Sequence, residues 1–154
     1  MESASRPLSI LLVSPEFPPM PGGIGRYTYN LKKNLIGMGL IVKIVCDRRG
    51  DGEFSGISQH NTRNSEILSE LVDRIKPDVV HVQYEPGLYG LKLDMLNPAK
   101  TFYKYCKGPD NNYFSLCLSI QTMDEPSYSN LRANAGSLPD KKSKTYIQLL
   151  DKAN

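Results

Sequence analysis

An apolar run, Leu8 to Val13, gives way at Ser14 to Pro15-Glu16-Phe17-Pro18-Pro19-Met20-Pro21-Gly22-Gly23-Ile24-Gly25-Arg26-Tyr27. Proline fixes φ and removes a backbone donor, so neither a strand nor a helix runs through this stretch. The chain has to end a strand, turn on a stiff loop, and start a helix with glycines at its mouth. A short continuous apolar run suits a strand covered on both faces, as in a parallel sheet. The loop after it leaves backbone N–H groups and a helix N-terminus facing an anionic ligand. We therefore expect Gly22, Gly23 and Ile24 to contact a phosphorylated or nucleotide-linked ligand. The plainer alternative is a strand-to-helix turn that needs positive φ at Gly22 or Gly23. The double glycine and the prolines before it favour the ligand-binding expectation.

The segments that follow keep the pattern. Gly25 to Met38 reads as a helix, with Tyr27, Leu31, Leu35 and Met38 on one stripe and Gly37 and Gly39 at its end. Leu40 to Cys46 reads as a second apolar strand, broken by Lys43. Asp47 to Arg63 is a polar, glycine-rich loop. Asn64-Ser65-Glu66 can cap a second helix, whose buried face is Ile67, Leu68, Leu71, Val72 and Ile75. Lys76-Pro77-Asp78 stops it, and Val79 to Val82 is a third strand. Strand, helix, strand, helix, strand predicts an α/β fold, a Rossmann-like parallel sheet with helices on both faces. Ligands of such folds bind outside the carboxyl ends of the strands. Two segments fall there, Pro15–Gly25 and Gln83–Gly90.

Composition narrows the function classes. A net charge of +3 gives no electrostatic footprint for nucleic acid. The three cysteines, Cys46, Cys106 and Cys117, make no Cys-x-x-Cys pair, which argues against a zinc site or a disulfide framework and for a reducing, cytoplasmic setting. The apolar run after the polar Met1–Pro7 is too short for a signal-peptide core or a membrane span.

The candidate groups differ in weight. The loop is not a P-loop, because no Gly-Lys-Ser/Thr follows. It is not a clean dinucleotide fingerprint either, since Thr28 stands where the third glycine belongs, which counts against a dehydrogenase. Arg26, in the first helical turn, could pair with a phosphate or carboxylate, although a solvated surface arginine is the commoner case. Strand alternation puts His81 and Gln83 on one side and Val80, Val82 and Tyr84 on the other. His81 reads as a buried histidine bonded to a neighbouring backbone group. Gln83, Tyr84 and Glu85 lie at the strand's carboxyl end and are expected to face the cleft. Glu85 could hold a sugar hydroxyl or act as a base. His60 reads as a surface residue, and Lys141, Lys142 and Lys144 as a solvated basic run. No cluster suggests a metal.

Together these residues resemble the N-terminal domain of family 4 glycosyltransferases, which have the GT-B architecture. The likeness runs through Ser9–Pro15 with Pro18-Pro19-Met20-Pro21-Gly22-Gly23-Ile24-Gly25, then Leu31 to Val45, then Lys76-Pro77-Asp78-Val79-Val80-His81-Val82-Gln83, then Tyr84-Glu85-Pro86-Gly87-Leu88-Tyr89-Gly90. It covers roughly residues 7–107. The resemblance implies an acceptor-side domain of an enzyme that moves a sugar from a nucleotide-sugar donor to a carbohydrate or lipid-linked acceptor. It implies retention of anomeric configuration and no metal or other cofactor. Gly22 and Gly23 would lie against donor phosphates or acceptor, and Gln83 to Glu85 would line the acceptor side. Peripheral membrane contact would fit lipid-linked acceptors, although no basic amphipathic helix requires it. The family's C-terminal donor domain has no counterpart here, so the resemblance implies that transfer needs one. The competing reading is a non-catalytic nucleotide- or sugar-binding Rossmann module.

Past Lys107 the pattern weakens. Tyr113 to Ile120 could be a strand and Tyr146 to Leu150 one short amphipathic turn. The rest is rich in Ser, Asn, Lys and Pro and reads as a poorly ordered tail, residues 108–154. Asp110 to Ser119 can be encoded so that a reading one base later gives Ile-Ile-Thr-Thr-Phe-His-Ser-Ala-Tyr, the apolar strand and Thr-x-His type segment of the family. An out-of-frame tail is therefore one expectation, which the coding sequence would decide.

Overall fold

The structure is a computed structural model of the 154-residue chain and describes residues 6–85, 88–89, 115–120, 127–131 and 141–154. In chain order the elements are β1 (Ser9–Val13), α1 (Gly23–Gly37), β2 (Ile41–Cys46), β3 (Phe54–Ser55), α2 (Asn64–Ile75), β4 (Val79–Tyr84), β5 (Ser115–Ile120), β6 (Ser127–Leu131) and α3 (Lys141–Ala153). The strands form one sheet in the order β3-β2-β1-β4-β5-β6. Pairing is parallel from β3 through β5, and β6 joins antiparallel at the edge. This is an α/β, Rossmann-like fold.

The apolar runs are explained by burial on both faces. In β1, Leu11 and Val13 join Val80, Val82, Leu68, Leu71 and Val72 under α2. Ile10 and Leu12, one residue out of phase, join Leu31 and Leu35 of α1 and Tyr146 and Leu150 of α3. Helices α1 and α3 therefore cover one face and α2 the other. Each fully buried aliphatic side chain contributes about 1.5–3 kcal/mol through the hydrophobic effect. Lys43 faces solvent, as does its neighbour Ile41.

Both predicted helices form where their periodicity places them. In α1, Leu31 and Leu35 are buried while Tyr27 and Met38 are half-buried. In α2, Asn64 does something other than cap the helix. It is fully buried, its Oδ1 accepts from Ser58 N at 3.0 Å, and its Nδ2 donates to Ser58 O at 2.7 Å. Lys76 ends α2 in the left-handed conformation at φ 48°. The short strand β3 lies within the stretch expected to be loop, because two residues are too few to show an alternation.

Within residues 108–154, expected to be irregular, the described residues form β5, β6 and α3. Strand β5 pairs with β4 from Val79↔Ser115 to Tyr84↔Ile120, so the expected strand forms and extends the sheet. The expected single turn is a helix of 13 residues. Tyr146, Leu150 and Ala153 recur at spacings of four and three, so one face of α3 is buried against the sheet and α1. Polar composition masked this stripe. The expected boundary near Lys107, and Cys106, Pro86, Gly87 and Gly90, lie outside the described residues.

At the amino ends of the strands, Asp78 ties three parts of the chain together. Its carboxylate accepts from Arg6 Nη1 and Nη2 (2.9 and 2.8 Å), Ser9 N (2.9 Å) and Lys142 Nζ (2.6 Å). Burial alone would raise its pKa, but the bonds from Lys142, Ser9 and Arg6 outweigh it and hold the group down to about 2. Lys142, read as part of a solvated run, is thus an anchor of α3. This end lies opposite the carboxyl ends, where the candidate site is built.

Candidate functional site

After β1 the chain is held tightly before it turns. Ser14 N donates to Val45 O at 3.1 Å, and Ser14 Oγ donates to Glu16 O at 2.7 Å. Phe17 drops into the core on the α1 face. The Pro18–Pro19 peptide is cis, and Met20 N donates back to Phe17 O at 3.1 Å. Gly22 has φ +152°, a conformation that L side chains rarely adopt. A Cβ there would also lie 2.9 Å from Glu16 Cδ, so the Glu16 carboxylate rests against this glycine. Gly25 serves close packing instead. A Cβ on it would meet Phe17 N at 3.1 Å and Glu16 C at 3.2 Å, both backbone atoms. No side chain caps α1, and its first turn carries no acidic residue. Gly22, Gly23 and Arg26 are exposed, while Ile24 is half-buried against the α2-face core.

Strand β4 lies directly beside β1, with Val13 opposite Val82. The two carboxyl ends are tied by Tyr89, whose hydroxyl is 3.2 Å from Val13 O and 2.9 Å from Gln83 O and shares one proton between them. Tyr89 stacks on Tyr84, with centroids 6.3 Å apart and planes 16° from parallel. From β1 the chain crosses by α1 to β2 on one side, and from β3 it crosses by α2 to β4 on the other. The β1–β4 boundary is thus the topological switch point, where such sheets open a crevice at their carboxyl ends. The Pro15–Gly22 loop and Glu85 both leave the sheet there.

The structure separates the expected site residues into two groups. Gly22, Gly23, Ile24, Arg26 and Glu85 sit at the carboxyl end with exposed or half-exposed groups. Gln83 and Tyr84 do not face the cleft. Tyr84 is in the α2-face core. Gln83 is 0% exposed on the opposite face, its Nε2 lying 3.2 Å from His81 Nε2. The alternation expected for this strand holds, and covering helices on both sides convert its polar members into core. His81 is buried as expected, and both of its ring nitrogens meet side chains. Its Nδ1 is 2.7 Å from Tyr146 Oη, and the two rings meet edge to face. The Gln83 amide nitrogen only donates, so the neutral imidazole carries its proton on Nδ1 and donates it to Tyr146 Oη. Burial pulls the His81 pKa down to about 3.

A second cleft, not anticipated from the sequence, opens where β2 and β3 end. It has a volume of about 360 Å³, and its lining includes Asp47, Arg48, Ile57, Ser58, Asn61 and Arg63. Asp47 is held by Arg49, which donates from N and Nε to Oδ1 (2.9 and 3.0 Å) and from Nη2 to Oδ2 (3.3 Å). The Arg49 side-chain bond lowers the Asp47 pKa. The sequence signal that could have found this cleft is the arginine set 48, 49 and 63 within one polar loop. The loop 56–63 also reaches the switch-point crevice. Gln59 Nε2 donates to Glu16 Oε1 at 3.4 Å, and His60 N donates to Leu88 O at 3.4 Å.

Among the described residues, no group of His, Cys, Asp or Glu could hold a metal ion, and no helix is long and apolar enough to cross a membrane. No known protein-family model matches the chain, and no curated protein matches it.

Proposed function

We propose that this chain is the acceptor-side part of a retaining glycosyltransferase of GT-B architecture, which moves a sugar from a nucleotide-sugar donor to a carbohydrate or lipid-linked acceptor. One observation carries the reading. The glycine turn and Glu85 leave neighbouring parallel strands at the same switch point, where this fold class opens its ligand crevice. In this reading the Gly22, Gly23 and Ile24 backbone amides, at a helix start with no capping side chain, hold a phosphate or a sugar hydroxyl. Glu85 accepts an acceptor hydroxyl, and exposed Arg26 adds charge at the mouth. Gln83 and Tyr84 act from below by fixing the end of β4. A donor-binding domain forms the opposite wall of the crevice, and contact with a membrane surface brings lipid-linked acceptors within reach. The free, buried Cys46 and Cys117 suit a reducing cytoplasm.

The burial of Gln83 and Tyr84 favours a second reading, a nucleotide- or sugar-binding module without catalysis. A transfer assay separates the two. The chain is incubated with UDP-glucose or GDP-mannose and a panel of sugar acceptors, with and without a C-terminal GT-B donor domain. The first reading expects transfer only in the mixture, and about a hundredfold less with Glu85→Gln if Glu85 is the base. Ligand binding without transfer in either case supports the second reading. Transfer by the chain alone contradicts the need for a second wall.

A further inference from the structure

We infer that the cleft at the ends of β2 and β3 is a phosphate-binding pocket, which anchors a phosphomonoester ligand beside the switch-point crevice. Several observations converge. The cleft, about 360 Å³, lies within the usual size range of small-molecule sites. Arg48 and Arg63 line it and are both exposed. The acidic group in the lining, Asp47, has both oxygens engaged by Arg49, whose bonds act on it more strongly than the charge of Arg48 does. Arg63 meets Glu66 at 3.3 Å, but both side chains are mostly exposed, and a solvated pair of this kind is worth little. A phosphate oxygen can compete for that guanidinium, because arginine binds phosphate through parallel N–H bonds. Ser58 and Asn61 add neutral hydrogen-bonding groups, and buried Ile57 gives the cleft an apolar wall.

The pocket is also preformed. Gly56 N donates to Cys46 O at 3.1 Å, and Asn64 grips both backbone groups of Ser58. His60 holds φ 56°, a left-handed conformation that persists only where surrounding bonds determine it. The same loop touches Glu16 and Leu88, which places the anchored ligand next to the glycine turn and Glu85. This placement makes the phosphate the handle of the acceptor, and in that respect it rests on the function proposed above. Phosphate capture itself does not depend on it.

The test is an amide chemical-shift titration of the full chain at constant ionic strength. The probes are inorganic phosphate, glucose 6-phosphate and dihexanoyl phosphatidic acid. Saturable shifts are expected at Arg48, Gly56, Ser58 and Asn61. The double variant Arg48→Ala/Arg63→Ala should weaken binding by at least about tenfold, since bonds to charged groups are lost. Lys33→Ala, an exposed change elsewhere, should leave it unchanged. Arg48→Lys/Arg63→Lys keeps the charge and serves where the alanine pair fails to give a dispersed spectrum; it should still bind, more weakly. Tighter binding of glucose 6-phosphate marks a soluble acceptor, and tighter binding of phosphatidic acid a lipid one. No saturable shift at these amides, or unchanged affinity in both double variants, overturns the inference. Phosphate bound here, with no sugar transfer even in the mixture with a donor domain, keeps the pocket and removes the glycosyltransferase reading.

Discussion

Three glycines within four residues of the chain answer to different constraints. Gly22 is required by its positive φ, Gly25 by the backbone it touches, and Gly23 by neither, since a Cβ on it would meet open space. Gly25→Ala should therefore destabilise the fold by about 1–3 kcal/mol through overpacking against Phe17 and Glu16. Gly23→Ala should be neutral or stabilise it by up to about 1 kcal/mol by restricting the unfolded chain. Urea unfolding of the two variants checks this contrast. A Gly23→Ala cost as large as that of Gly25→Ala would refute the assigned conformations. His81 gives a pH dependence. Its folded pKa of about 3 lies below the ordinary 6.5, so below about pH 6.5 the unfolded chain takes up a proton that the fold refuses. Its contribution is fully present above pH 6.5 and is lost as pH falls toward 3. The slope approaches about 1.4 kcal/mol per pH unit. Asp78, depressed to about 2 from 3.8, adds a loss only below about pH 4. Unfolding free energies measured from pH 7 to 4 should fall in the wild type and flatten in His81→Asn. Parallel curves would show that His81 is not buried neutral.

At the scale of elements, α3 is the critical case. Its buried face meets α1 and the sheet, and its end is pinned where Asn34 Nδ2 donates to Ala153 O at 2.8 Å and Tyr27 Oη donates to Asn154 Oδ1 at 2.6 Å. Leu150, fully buried, should cost about 2–5 kcal/mol when truncated to alanine. Tyr146→Phe should cost about 1 kcal/mol, because it strands the Nδ1 proton of His81. Unchanged urea midpoints in both variants would mean that α3 does not dock. Much of the architecture was legible in the sequence because β1, β2 and β4 are uninterrupted apolar runs and α1 and α2 have clear stripes. The α3 stripe was not, since Tyr146, Leu150 and Ala153 are only three residues in a lysine-rich segment. Nor could periodicity show that β5 would supply the second covered edge of β4. At the site, the glycine turn and Glu85 were legible from their places after strands. The withdrawal of Gln83 and Tyr84 was not, because it depends on which helices cover β4. The arginines at 48, 49 and 63 are visible in the sequence, but the cleft that Arg48 and Arg63 line depends on how the 47–63 loop folds back, which local pattern does not show.

At the scale of the whole molecule, the two ends of the sheet are built differently. The amino end is locked by Asp78, Ser9, Arg6 and Lys142. The carboxyl end carries the glycine turn, Glu85 and the arginine cleft. That polarity follows from parallel pairing, which sends the β1, β2 and β4 loops out on the same side. The account rests on ligand capture at the β1–β4 switch point. The most direct measurement is an amide chemical-shift titration of the full chain with a panel of hexoses, nucleoside diphosphates and nucleotide sugars. The account predicts that the ligands that bind shift the amides of Gly22, Gly23, Ile24 and Glu85 together, in one saturable process. Binding that shifts only residues at the amino ends, such as Arg6, Ser9 and Asp78, or a panel in which nothing moves the glycine turn, would contradict it.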